Sequence, residues 1–143
     1  MIPHDTIRKI LEAGVQSPSG SNSQPWKFIV RGDQLDVIAL PEKDHPVLNF
    51  RYRGTWVAHG ALIENIAIAT REFGYNSTIK IFPDKSDRNI TARITFKKSS
   101  SAGDPLYKTL TERVTNRKPY ATTPLTQEIK EKLLEIARGW PDK

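Results

Sequence analysis

The 143 residues contain no cysteine. Disulfides, thiolate nucleophiles, iron–sulfur clusters and cysteine-based zinc sites are thereby excluded. Histidine is almost as scarce. His4, His45 and His59 are far apart and lack the i, i+4 spacing of a metal pair, so they read as surface or helix-end residues and no metal is expected. No uninterrupted apolar run approaches membrane length, and the opening Met-Ile-Pro-His-Asp lacks the basic-then-apolar order of a secretory leader. A cytoplasmic protein with no membrane partner is the expectation. Paired carboxylates and Ser/His/Asp arrangements are also missing.

Charge is the feature present in excess: 22 Lys and Arg against 16 Asp and Glu give +6. Such a balance permits phosphate or nucleic-acid binding. The cations are scattered and interleaved with acids, as in Glu128-Ile129-Lys130-Glu131-Lys132, so a solvated surface accounts for most of them and no nucleic-acid partner is expected. The length suits one ordinary domain with a sizeable core.

Apolar spacing predicts a first helix over about 5–16 with Ile7, Ile10, Leu11, Gly14 and Val15 on one face. Strands follow at 26–31 and 34–40, joined by a Gly32-Asp33 turn, and 41–49 reads as irregular. Residues 56–73 form a long helix with almost no polar face, which requires cover on most sides and ends at Gly74. Two further strands are expected at 78–82 and 89–97. A small-residue connector, 99–103, leads to a short helix opened by Asp104-Pro105, and a last helix runs over about 125–138. The fold class is therefore α+β, a mostly antiparallel sheet flanked by helices.

The densest signal is Ser17-Pro18-Ser19-Gly20-Ser21-Asn22-Ser23-Gln24-Pro25-Trp26. Two prolines fix the backbone, and the small residues between them leave the main chain open to a polar ligand. By itself this is either an ordinary helix-to-strand turn or a ligand loop. The string resembles the P-S-x-x-N-x-Q-P-W loop of the nitroreductase-like flavoprotein superfamily, matched at Pro18, Ser19, Asn22, Gln24, Pro25 and Trp26. In that superfamily the loop lies against FMN between two subunits or two repeats. The resemblance implies that Pro18, Ser19, Gly20 and Asn22 face the ribityl chain and ring. Trp26 and Trp56 read as core residues.

A weak internal repeat accompanies it. A shift of 123 positions sets Asp5 on Glu128, Lys9 on Lys132, Ile10 on Leu133, Leu11 on Leu134, Glu12 on Glu135 and Pro18 on Pro141. Just before the second copy stands Arg113-Val114-Thr115-Asn116-Arg117. Two guanidinium groups flanking a hydroxyl can fork onto a phosphate monoester, and they can equally form surface ion pairs with Glu112 or another carboxylate. The segment resembles the superfamily's R-x-S/T-x-R motif, which implies that Arg113, Thr115 and Arg117 hold the FMN phosphate. The order of motifs is similar to that of the larger two-repeat members. Residues 1–110 would be the first nitroreductase-like half of a pseudo-dimer and 111–143 the start of a second, truncated half. The implied function is part of an FMN-dependent oxidoreductase moving electrons from NAD(P)H to nitroaromatic, quinone or similar small-molecule acceptors. The alternative is a non-catalytic FMN-binding or storage protein. A homo-oligomer or a missing C-terminal half would complete the site. The absence of catalytic side-chain arrangements suits a flavoprotein, because the flavin performs the chemistry.

Overall fold

The structure, a computed structural model, describes residues 1–47 and 49–138. Pro141, the last partner in the 123-position shift, lies outside them. Two compact units are present, Met1–Arg113 and Val114–Lys143.

In the first unit the element order is α1 (His4–Gly14), β1 (Trp26–Arg31), β2 (Gln34–Ala39), α2 (Arg53–Glu72), β3 (Tyr75–Ile81), β4 (Ile90–Lys98) and α3 (Tyr107–Glu112). The four strands form one antiparallel sheet in the order β1-β2-β4-β3. Strand β3 begins directly after Gly74, three residues earlier than its apolar pattern indicates, because Tyr75 pairs with Lys98 and its ring is buried. Helix α3 starts at Tyr107. Asp104 does not sit at its N-cap; its Oδ1 accepts from Leu106 N in a turn that precedes the helix.

Alternation along the strands separates the two faces of the sheet. Trp26, Leu35, Val37, Ala39, Ala92, Ile94, Phe96 and Tyr75 point inward, where they are buried with Ile7, Ile10, Ala13, Leu62, Ile66 and Leu110 of the helices. The opposite face is polar, with one buried acid. Asp36 is 1% exposed and accepts from Arg31 (2.8 Å) and, through both oxygens, from Arg93 (2.7 and 3.0 Å). The Arg93 guanidinium, followed by that of Arg31, holds the Asp36 carboxyl below the usual carboxylate range against the opposing effect of burial.

Helix α2 buries Thr55, Ala58, His59, Leu62 and the run Ile66–Thr70. The cover expected on most sides leaves one outward stripe, where Val57 is 74% exposed and Gly60 and Glu64 also face outward. Helix α1 crosses α2 closely at Gly14, whose carbonyl accepts from Asn65 Nδ2 at 3.4 Å.

The second unit contains α4 (Gln127–Arg138), whose range begins at the position a 123-residue shift assigns to α1. Its apolar residues Ile129, Leu133, Leu134 and Ile136 are all exposed.

A Cβ on Gly14 would stand 2.8 Å from Ile66 Cγ1, a methylene next to the β-branch of a fully buried side chain with little room to turn. Gly14→Ala should therefore destabilise the chain by about 1 kcal/mol, the overpacking cost exceeding the gain in helix propensity. Urea denaturation checks the value, and in an Ile66→Ala background, which lacks Cγ1, Gly14→Ala should no longer be destabilising.

Candidate functional site

The 17–25 segment leaves α1 and enters β1 through a backbone that most side chains avoid. Ser21 (φ 49°, ψ 24°), Asn22 (φ 57°) and Gln24 (φ 47°) are all left-handed. Left-handed residues without glycine persist where surrounding bonds over-determine them. Here Asn22 N donates to Ser19 O (3.0 Å), Ser23 N to Gly20 O (2.8 Å) and Gln24 N to Ser19 Oγ (3.0 Å). The Ser19 hydroxyl thus closes the loop by accepting, and its own hydrogen remains available to a ligand. Asn22 and Pro18 are exposed, and the Asn22 amide is not used inside the loop.

Opposite this loop stands the start of α2. Pro18, Ser19 and Gly20 share an open groove of about 390 Å³ with Arg53, Gly54, Val57 and Ala58. Its walls are mainly apolar, with one charged side chain. The Arg53 guanidinium lies 5.9 Å from the Phe50 ring centroid, and no carboxylate among the described residues pairs with it. In the sequence Arg51-Tyr52-Arg53 reads as a solvated helix start that could also touch an anionic ligand, and only the fold brings Arg53 against the 18–20 loop.

The lower end of the loop is held by His59, which corrects the reading of this residue as a surface or helix-end histidine. It lies mid-helix and is 2% exposed. Its Nε2 is 3.0 Å from Pro25 O and its Nδ1 is 2.8 Å from Thr91 Oγ1. A carbonyl can only accept, so Nε2 carries the hydrogen and Nδ1 of the neutral ring faces the Thr91 hydroxyl. Thr91 reaches it from a β-bulge: Val37 pairs with Ala92 and Ile38 with Ile90, so Thr91 is the extra residue on β4. Trp26 and Trp56 pack edge-on against the imidazole at 6.0 and 6.4 Å. Trp26 is buried as expected, whereas Trp56 is half-buried.

The three residues read as a phosphate grip fall in two units. Arg113, the last residue of the first unit, donates from Nη2 to Gln16 O at 3.1 Å, which anchors it two residues before Pro18. It also lines a cavity of about 370 Å³ with Asn65, Thr109, Leu110 and Glu112. Between Gln16 and Pro18, the Ser17 hydroxyl is buried with no hydrogen-bond partner among the described residues. Thr115 and Arg117 lie in the second unit, exposed and outside regular structure.

The Nitroreductase family profile matches residues 1–45, which hold α1, the whole loop and the first hairpin. The "Putative NAD(P)H nitroreductase MT3217" of Mycobacterium tuberculosis is 25% identical over 85% of this chain. A Nitroreductase Family Protein from Streptococcus pneumoniae superimposes with a TM-score of 0.56 at 17% identity, covering 83% of this chain and 87% of that one. An FMN-dependent nitroreductase from Clostridium difficile gives 0.53 at 16% identity, with 82% and 89% covered. Residues 1–45 thus match the Nitroreductase family, and the fold is that of these nitroreductase structures. The chain spans between 16% and 36% of the length of the curated relatives it matches. No described helix is long and apolar enough to cross a membrane.

Burial pushes the His59 pKa below its ordinary 6.5, with the Pro25 hydrogen bond opposing it. The unfolded state therefore takes up the proton first as pH falls, and the stability held by neutral His59 above pH 6.5 is lost on acidification toward the lower native value. Urea titrations at pH 7.5 and 5.5 should show this loss in the wild-type chain and not in His59→Gln.

Proposed function

We propose that this chain is part of a cytoplasmic FMN-dependent oxidoreductase that takes electrons from NADH or NADPH to a nitroaromatic, quinone or similar small-molecule acceptor. The observation that carries this reading is the loop itself. Six residues at nitroreductase spacing are bonded into a strained shape beside a groove of about 390 Å³. The groove suits a flat ring with polar edges: Val57, Ala58 and Pro18 offer apolar contact, the main chain at Ser19-Gly20 is unobstructed, and Asn22 presents a free amide.

FMN, when bound, supplies the hydride and electron transfer. The chain's residues bind and orient. Pro18, Ser19, Gly20 and Asn22 take the ribityl and ring portion, with the Ser19 hydroxyl and the Asn22 amide donating at polar edges. Arg113, Thr115 and Arg117 take the phosphate through forked, charge-assisted bonds. A second nitroreductase-like half, from the remainder of a longer chain or from a second copy, completes the site and covers the outward stripe of α2.

The visible spectrum of purified protein after incubation with FMN is the first measurement, and absence of bound flavin after desalting would overturn the assignment. Turnover of NADH or NADPH with an acceptor then separates an enzyme from an FMN store. Arg113→Ala or Arg117→Ala should weaken FMN binding by about 2 kcal/mol while leaving riboflavin, which lacks the phosphate, nearly unchanged. Asn22→Gly should weaken both flavins alike with no loss of apo stability, since glycine accepts φ 57° without strain. Equal losses for FMN and riboflavin in the arginine variants would assign those residues to folding.

Phe50, Tyr52 and Val57 are 62%, 52% and 74% exposed near the start of α2. The 143-residue chain should therefore run as a dimer in light scattering, and Val57→Lys should convert it to monomer. A wild-type monomer at every concentration would remove the self-associating form of this reading.

A further inference from the structure

Asp44 lies in the stretch the sequence leaves irregular, yet its carboxylate joins two left-handed segments of the first unit. It is 7% exposed, and no cation pairs with it among the described residues. Three donors reach it. Ser23 Oγ (3.2 Å) and His45 N (2.9 Å) donate to Oδ1, and Thr55 Oγ1 (3.0 Å) donates to Oδ2. On the helix side the network closes through Asn49, whose Nδ2 donates to Thr55 Oγ1 (2.8 Å) while its Oδ1 accepts from Thr55 N (3.2 Å). Asn49 thus caps a first-turn N–H of α2 from outside the helix.

The segments tied together are the left-handed loop Ser21-Asn22-Gln24 and the left-handed pair Arg51 (φ 52°) and Tyr52 (φ 59°) that opens α2. The groove walls meet over the same carboxylate. A Cβ on Gly20 would stand 3.1 Å from Asp44 Oδ1, and one on Gly54 would stand 3.5 Å from Oδ2. Gly20 and Gly54 both line the groove. Asp44 lies behind it, at a distance from each wall that its bonds define.

We infer that Asp44 is a positioning residue: with Thr55 and Asn49 it locks the 19–24 loop to the start of α2 and sets the groove width before any ligand arrives. This rests on the flavin reading only for the identity of the ligand. The donor inventory shows why an ionised carboxylate is required. All three partners donate, so an amide in its place presents an NH2 to one of them. Turned toward Oδ1 it opposes His45 N–H, and turned toward Oδ2 it leaves the Thr55 hydrogen without an acceptor. Preorganisation of this kind raises affinity by removing the ordering cost of the loop.

The test uses the full chain with Asp44→Asn, Ser23→Ala, Thr55→Val and Thr55→Ser. Flavin fluorescence quenching should show Asp44→Asn losing about tenfold in affinity for FMN and riboflavin alike, the size of one lost hydrogen bond. Ser23→Ala, which cuts only the loop side, should lose severalfold while the apo melting temperature stays near wild type. Thr55→Ser, which keeps the hydroxyl, should retain the affinity that Thr55→Val loses. Amide exchange on apo protein reads the lock without flavin: in Asp44→Asn the 19–24 amides should exchange at least about tenfold faster while those of β2 and β4 are unchanged. If wild type binds no flavin, the functional reading fails and the exchange arm still decides this inference. Wild-type flavin affinity in both Asp44→Asn and Ser23→Ala, or unaltered exchange at 19–24, would overturn it. Should Asp44→Asn fail to fold, Ser23→Ala carries the same two readouts.

Discussion

Helix α2 has to bury three polar side chains along with its apolar ones, and their satisfaction determines where the neighbouring chain can go. Thr70 is solved locally, since its hydroxyl donates to Ile66 O at 2.6 Å within the same helix. Thr55 and His59 have no such local answer. Thr55 is met by Asp44 and Asn49 from the 44–49 stretch, and His59 is met by Pro25 of the loop and Thr91 of the bulge. An unsatisfied buried polar group costs about 1–3 kcal/mol, so each of these contacts fixes a segment that has no regular structure of its own. The same network flanks the left-handed residues of the loop, since Ser23 donates to Asp44 and Pro25 accepts from His59.

The sheet separates packing from charge. Its inner face is mainly apolar and packs against both long helices of the first unit, whereas its outer face carries the Arg31-Asp36-Arg93 cluster. The groove lies on the helix-covered side, at the end of α1 and the beginning of α2. That is where a loop can be irregular while its ends are anchored on rigid elements, the usual arrangement for binding positions. Closing it from behind with a carboxylate, and bordering it with glycines at 20 and 54, leaves room for a flat ligand without loosening the core.

Much of the apolar surface outside this core is organised. Val57, Gly60 and Glu64 form one stripe of α2, and α4 repeats the apolar spacing of α1 with its side chains exposed. In α1 the same spacing buries Ile7 and Ile10 against α2 and the sheet. A chain covering 16% to 36% of its curated relatives presents elements whose partners belong to the rest of the assembly under the proposed reading.

The sequence by itself determined what depends on neighbours in the chain. The 3.6-residue spacing of Ile7, Ile10 and Leu11, the alternation through Trp26–Val30 and Gln34–Ala39, and the glycines at 32 and 74 place helices, strands and turns to within a few residues. The Pro18–Trp26 loop was legible for the same reason, since prolines and small residues at fixed spacing constrain a backbone locally. Tertiary structure alone decided the partners of single polar groups. Nothing adjacent to Asp44 distinguishes it from Asp33 or Asp87, and its role follows from Ser23 lying 21 positions before it and Thr55 lying 11 after it. His59 reads as a surface residue because its partners, Pro25 and Thr91, are 34 and 32 positions away. Arg53 becomes a groove residue only when α2 is laid beside the loop. Burial and hydrogen-bond satisfaction are set by what the fold brings together across long separations, and periodicity carries no information about that.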